Sequence, residues 1–452
     1  MKKQKRILVV GGNAAGPAAA AKAKRVNPSA SVKLFEKGAF ISTGTCEIPY
    51  VLSGKIDNWE KIVYFSPGEF HTSKGVEVFV NHYVSNINRK EKYIKVENSE
   101  TGEISKEYYD ALILSTGSKV NKIPLLPDYL SNVFYLKSVG DLISCKEFIG
   151  KNKPVNAVVI GSGYIGIELA EALKKSGMKV TVLEKMNLPL PGAEEEISRL
   201  LVETLRKNNI SFYGNFDSPH FRIEDNCLNE ISFSEYRFQT DIVFCSVGVR
   251  PETELAIKCG LETGSSGGIK VDPLLRTSDS YIYAAGDNIE VKNLITGKPD
   301  YIPQATLAHI QGHIAGENAA GGIRKFDPVF GNVSVKIFDE FYSSVGLTSH
   351  RLDQLGINYS SVSAEATDII SVMPGSRNVF GKLLFEKPSG RILGAAFFGS
   401  NVISGYADLL SSLISENQTP EKLEKIIFNY TPPLSPFIHL LSIIGRKYSE
   451  SK

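Results

Sequence analysis

The sequence holds little cysteine and no excess of either charge. Its five cysteines, at positions 46, 145, 227, 245 and 259, are odd in number and scattered. That excludes a disulfide-stapled secreted scaffold and fits a reducing, cytoplasmic setting. Lysine and arginine total 51 against 49 acidic residues, a net charge of +2, which excludes the basic footprint of a nucleic-acid-binding protein. No apolar run approaches the length of a membrane span, and no metal is expected. The basic start MKKQKR is followed by ILVV, but the apolar run stops at Gly11 with no small-residue cleavage site. It reads as a short exposed tail and a strand, not as a signal peptide.

What is present is length and ordinary globular composition: 452 residues, 42% hydrophobic and 22% charged. On a prior of roughly 150 residues per domain, about three domains and a large core are expected, with nothing to suggest disorder.

Two stretches carry the same plan. RILVVGGNAAGPAAAAKAKR is a short apolar strand, a Gly-rich turn and an Ala-rich helix, followed by the strand SVKLFEK ending in Glu36. NAVVIGSGYIGIELAEALKKSG repeats it, followed by KVTVLEK ending in Glu184. Each is a βαβ unit of the dinucleotide-binding type. The first Gly makes the tight turn, the second lets backbone approach a pyrophosphate, and the third lets helix and strand pack closely, while the helix N-terminus attracts phosphate. Gly161, Gly163 and Gly166 meet the full rule, with Tyr164 and Ile165 inside the turn. In the first unit Gly11 and Gly16 bracket Asn13, Ala14 and Ala15. Asn13 takes the middle glycine's place, and Asn tolerates positive φ better than most residues. Glu36 and Glu184 become candidate ribose ligands, the alternative being solvated strand-end carboxylates. An acid there repels a 2′-phosphate, so Glu184 favours NADH over NADPH, with Lys185 beside it acting against that preference.

On these residues the chain resembles the FAD-dependent pyridine nucleotide-disulfide oxidoreductases, in the single-cysteine branch that contains coenzyme A disulfide reductase, NADH oxidase and NADH peroxidase. LILSTGSKV at 112–120, IVFCSVGVRP at 242–251 and GIKVDPLLRTSDSYIYAAGD at 268–287 extend the match over nearly the whole length. The resemblance implies an α/β fold with two Rossmann-like dinucleotide-binding domains, the second inserted in the first, and a C-terminal α+β dimerisation domain. FAD falls to 1–115 with 250–322, NAD(P)H to 116–249, and dimerisation to 325–452, where TPEKLEKII reads as a helix capped at Thr419. Cofactor contacts are implied for Thr116, Gly117, Gly248 and Gly286. Asp287 is expected on the flavin ribityl chain, and a helix starting near Ala305 to Leu307 is expected to point at the flavin. Tyr164 is expected to cover the flavin until nicotinamide displaces it, with Glu168 beside the nicotinamide pocket.

The same resemblance makes Cys46, in ISTGTCEIPY, the redox centre. The second cysteine of the two-cysteine branch is replaced by Val51, leaving a cycle in which hydride passes from NADH to FAD and then to a Cys46 mixed disulfide or sulfenic acid. A depressed thiol pKa, supplied by a helix start near the flavin, is expected. Glu47, where the family usually has Gly, is expected to raise that pKa. Ala14 stands where oxidases and peroxidases carry a His. Tyr430, in FNYTPPLS, matches a Tyr that coenzyme A disulfide reductases bring from the partner subunit. A second such Tyr is replaced in SVMPG by Val372 and Met373. Lys22, Lys24 and Arg25 lie where the family can meet a phosphate-bearing substrate, or form a solvated helix face. His439 receives no role, and Cys145, Cys227, Cys245 and Cys259 are read as structural.

The expected activity is NAD(P)H-dependent reduction of a low-molecular-weight disulfide of the coenzyme A type, or of a persulfide or polysulfide, by a cytoplasmic homodimer. The alternatives are an NADH oxidase reducing oxygen at the flavin and a non-catalytic NADH-sensing flavoprotein.

Overall fold

The structure, a computed structural model, describes residues 4–451; Met1, Lys2 and Lys3 of the basic start lie outside them. The run Arg6–Val10 is apolar on both faces, as a strand covered by helices on both sides must be. It occupies the centre of a five-stranded parallel sheet, ordered 282–284, 111–114, 6–10, 31–35 and 77–79. The Ala-rich helix Ala15–Val26 that follows packs on the helix Ala305–Ala320 at very short range. A Cβ added to Gly312 would lie 2.3 Å from the Ala15 carbonyl oxygen, and one on Gly316 2.1 Å from that of Ala19. The small residues on both helices thus have a packing reason.

A second parallel sheet has the order 133–134, 242–245, 156–160, 179–183 and 210–213, with a small antiparallel sheet of residues 220–239 beside it. The two apolar stretches 112–120 and 242–251 are not single strands. Each breaks at a glycine with positive φ, Gly117 at +72° and Gly248 at +89°. Beyond the breaks, Ser118–Val120 and Val249–Pro251 pair antiparallel as a ribbon that carries the chain between the two nucleotide units.

The C-terminal part is a five-stranded antiparallel sheet, ordered 332–337, 340–346, 392–399, 378–386 and 359–367, backed by helices Ile403–Ser415 and Leu440–Glu450. The expected cap at Thr419 does not form. The helix there spans only Glu421–Lys425 with Pro420 at its N-cap, and the Thr419 hydroxyl meets the Glu421 carboxylate at 3.4 Å instead of a backbone N–H.

One apolar cluster binds the three parts together. Ile48 and Val51 from the cysteine segment, Ile167, Leu169 and Ala170 from the helix Tyr164–Lys175, and Val335, Ile337, Phe338, Tyr342 and Phe398 from the C-terminal sheet share it. Among the described residues, no helix is long and apolar enough to cross a membrane, and no group of His, Cys, Asp and Glu side chains could hold a metal ion.

Candidate functional site

Both Gly-rich turns are built the same way. Gly11 and Gly161 have φ of +105° and +95°, and a Cβ on either would lie within 2.5 Å of a backbone oxygen, of Ser115 or of Ser246. The third glycines meet the first: a Cβ on Gly16 would fall 1.8 Å from Gly11 O, and one on Gly166 2.0 Å from Gly161 O. A Cβ on Gly163 meets nothing within 4 Å, which leaves the open backbone a pyrophosphate needs.

The strand-end acids brace these turns. Glu36 accepts from Gly12 N at 2.6 Å and Gly38 N at 2.8 Å. Glu184 accepts from the backbone N and hydroxyl of Ser162, each at 2.7 Å, and from Met186 N at 3.0 Å. Neither is a merely solvated carboxylate. Asn13 differs from expectation: the positive φ belongs to Ala14, at +36°. Asn13 contributes through its side chain, whose Oδ1 accepts from Ala14 N at 3.1 Å and Thr43 N at 3.0 Å. Thus it ties the turn to the segment leading into Cys46.

The remaining implied cofactor residues cluster around the seam between the sheets. Gly286 has φ of +97° and donates its N–H to Gln311 at 2.8 Å. Thr116 donates to Glu252 O at 2.5 Å, and buried Asn288 donates to Leu114 O and Thr116 Oγ1. Asp287 Oδ2 accepts from Ser118 Oγ at 2.9 Å, and Ser118 Oγ accepts from Lys137 Nζ at 2.8 Å. Helices Ala15–Val26, Tyr164–Lys175 and Ala305–Ala320 carry no side-chain cap hydrogen bond at their N-termini, whereas Pro67–Lys74 and Val139–Asn152 have full capping boxes. Free N–H groups at helix starts suit anionic groups. Open glycine backbone, braced turns and uncapped helix starts fit a bound FAD and a nicotinamide dinucleotide.

Cys46 lies in a short 3-10 turn, Thr45–Glu47, that runs into the helix Ile48–Leu52. It is the one exposed cysteine among the described residues; Cys145 and Cys245 are buried, with thiols pushed up to about 12 by burial, and Cys227 and Cys259 are half-buried. The expected depression of the Cys46 pKa is not what the chain's own groups produce. Although the residue is exposed, the cleft around it desolvates the thiol. That raises its pKa first, Glu47 and Glu168 raise it further, and Lys137 opposes them. A five-residue helix behind it has too little dipole to reverse this. The Glu47 effect has the expected sign, and Val51 is buried in the shared apolar cluster.

The other predicted residues fall in two groups. Tyr164 stacks on Tyr342, and burial pushes the Glu168 carboxyl up to about 7, with Glu171 adding to the shift. Both lie on the helix that packs behind Cys46. Tyr430 lies elsewhere, edge-on to Phe437 on the C-terminal segment, where Ile427 is 98% and Phe437 76% exposed; within one chain it is not among the leading influences on Cys46. Val372, in SVMPG, is 82% exposed. His439 stacks on Phe428 at 3.9 Å, accepts from Leu441 N, and is pushed down to about 4 by burial, so it is a neutral cap. Lys24 donates to Ala30 O and closes its own turn. Lys22 pairs with Glu317 at 3.0 Å.

The sequence reading missed Lys137, Ser118 and Tyr342. Lys137 and Tyr342 sit in no motif, and Ser118, although inside the stretch 112–120, was given no role; only the fold brings the three to the site.

The comparisons agree with this geometry. The family model described as pyridine nucleotide-disulphide oxidoreductase matches residues 5–312, and its dimerisation domain matches 333–440. An NAD(P)H coenzyme A polysulfide/persulfide reductase from Pyrococcus horikoshii is 28% identical over 98% of each chain. The structure of reduced Bacillus anthracis CoADR-RHD superposes with a TM-score of 0.94 at 31% identity, covering 99% of this chain and 80% of that one. A water-forming NADH oxidase from Lactobacillus brevis superposes with a TM-score of 0.90 at 27% identity and 99% coverage of each. The chain belongs to the pyridine nucleotide-disulphide oxidoreductase family and is an NAD(P)H-dependent flavoprotein oxidoreductase with the mixed α/β fold and C-terminal dimerisation domain of that family.

Proposed function

We propose that the protein reduces a low-molecular-weight disulfide of the coenzyme A type, or the corresponding persulfide, at the expense of NADH or NADPH, through Cys46. The observation that carries this reading is the single exposed thiol, placed where the first Gly-rich turn, the helix Tyr164–Lys175 and the Lys137–Ser118–Asp287 chain meet. FAD, when bound, supplies acceptance of a hydride from NAD(P)H and delivery of an electron pair to sulfur. The protein's part is to hold the reacting groups and manage protons. Cys46 Sγ attacks one sulfur of RS–SR, forming a mixed disulfide and releasing one RS⁻, which takes a proton. Reduction of the mixed disulfide restores Cys46 and frees the second thiol. The balance is NAD(P)H + H⁺ + RSSR giving NAD(P)⁺ + 2 RSH.

Lys137 is the cation that favours the thiolate, and Glu168, near neutrality, can hold or give up a proton beside it. Tyr164 covers the nicotinamide side and yields when nicotinamide enters. The substrate class is supported by basic side chains beside the two packed helices, Lys22 and Arg25 on the first and Arg324 just past the end of the second, with the His309 and His313 rings 4.6 Å apart between them. Such a cluster suits the phosphates of a coenzyme A-like molecule. The nicotinamide unit is assigned to about 116–249 and the flavin unit to the flanking segments. A cytoplasmic homodimer completes the reading. Exposed Ile427, Leu434 and Phe437 need cover, and a second copy laid on that segment would bring Tyr430 towards the neighbouring Cys46 as a donor to the leaving thiolate.

The test is steady-state turnover with coenzyme A disulfide, coenzyme A persulfide and oxygen in wild type and Cys46→Ser. Loss of the sulfur activities alone supports the reading. Equal oxygen consumption in both, with no sulfur activity in either, supports the oxidase alternative.

A further inference from the structure

Tyr164 and Tyr342 form a stacked pair that joins the nucleotide-binding helix to the C-terminal sheet. Their ring centroids are 6.0 Å apart with 23° between planes. The two rings differ sharply in setting: Tyr164 is 41% exposed, while Tyr342 is fully buried. Tyr342 lies in the strand Glu340–Gly346, between Val335 and Phe398 in register, inside the apolar cluster shared by all three parts of the molecule. It is therefore fixed by packing on every side, while Tyr164, the first residue of its helix, has one face on Tyr342 and the other free. The Tyr342 hydroxyl makes no hydrogen bond of full geometry among the described residues, but it lies near enough to the Tyr164 phenol and the Ser344 hydroxyl for both to act on its ionisation as loose hydrogen-bond partners. A buried hydroxyl without a well-formed hydrogen bond is uncommon, and here it sits beside the partly exposed Tyr164 ring.

We propose that Tyr342 is the seat on which the Tyr164 ring rests and from which it departs when a nicotinamide ring enters, making Tyr342 a positioning residue for NAD(P)H. This rests on the reading of Tyr164 as the ring over the nicotinamide site and deepens it. The C-terminal domain, through one side chain, sets how strongly the ring competes with the nucleotide. Stacking stabilises the resting position, so nucleotide binding has to overcome it.

The experiment is a double-mutant cycle read by equilibrium binding of NAD⁺ to the oxidised holoenzyme, followed by perturbation of the flavin absorbance, which needs no turnover. Tyr342→Leu removes the ring partner and is expected to tighten NAD⁺ about 2- to 10-fold, the range that an aromatic pair is worth. Tyr342→Phe keeps the ring and stays closer to wild type. In a Tyr164→Ala background the Tyr342→Leu effect disappears. Should Tyr342→Leu fail to fold, Tyr342→Met fills more of the volume and takes its place in the cycle. An unchanged affinity in Tyr342→Leu, or the same change with and without Tyr164, overturns the seat. An unchanged affinity in Tyr164→Ala alone overturns the reading of Tyr164 as the covering ring, and the proposal with it, so the two failures are told apart.

Discussion

Tyr64 holds Glu47 beside Cys46: its phenol donates to Glu47 Oε1 at 3.0 Å. The carboxylate is thereby kept from turning freely into solvent, and after desolvation it is the largest cause of the raised Cys46 pKa. Glu47→Gln lowers the Cys46 pKa, so iodoacetamide labelling of the oxidised enzyme gains its thiolate limb at lower pH. Tyr64→Phe releases the carboxylate and gives a smaller shift in the same direction. A labelling profile that does not move in Glu47→Gln contradicts the electrostatic account.

Lys137 acts in the opposite sense. Its ammonium is tethered by Ser118, which in turn donates to Asp287, and it is the one cation among the leading influences on Cys46. Lys137→Met is expected to raise the thiol pKa and slow labelling at neutral pH, while Lys137→Arg keeps the charge and most of the rate. Equal behaviour of the Met and Arg variants would count against a charge effect.

Glu168 supplies a pH dependence of stability. Its folded-state pKa, about 7, lies above the ordinary 4.5 of the carboxyl, so the folded protein binds this proton more tightly than the unfolded chain does. The stabilisation is complete below about 4.5 and is lost as pH rises through about 7. Glu168→Gln, a neutral isostere, lacks that decline and gains on the order of 1 to 3 kcal/mol relative to wild type at pH 8. Urea midpoints measured from pH 5 to pH 8 check it; parallel curves for the two proteins rule it out.

The contact between the first Gly-turn helix and the helix Ala305–Ala320 tolerates no added carbon. Gly316→Ala places a methyl 2.1 Å from the Ala19 oxygen and is expected to cost about 1 to 3 kcal/mol by overpacking, with weaker retention of flavin. Gly163→Ala, at the open second glycine, leaves thermal stability nearly unchanged but weakens nucleotide binding. Melting temperature and flavin content after desalting separate the two effects.

The parts of the site that follow local rules were legible in the sequence. Gly11, Gly16, Gly161 and Gly166 are dictated by the turn itself, and the strand-end acids by their spacing from it. The Asn13 reading failed because the left-handed position fell one residue later, on Ala14, and the side chain took the structural role. In the chain by itself the Cys46 pKa goes up and not down, because the helix behind it is only Ile48–Leu52 while desolvation and the carboxylates of Glu47, Glu168 and Asp287 outweigh Lys137. Tyr342 and Lys137 were invisible for a simpler reason: each reaches the site from a separate part of the chain, and no spacing rule links them to Cys46 or Tyr164.

The most direct test of the central claim is an anaerobic NADH titration of the holoenzyme in wild type and Cys46→Ser, following the flavin band and the long-wavelength region. A long-wavelength thiolate-to-flavin band in the wild type alone, with uptake of more than one NADH per flavin, is the result predicted for a redox-active Cys46. Simple bleaching by one equivalent in both proteins would contradict it.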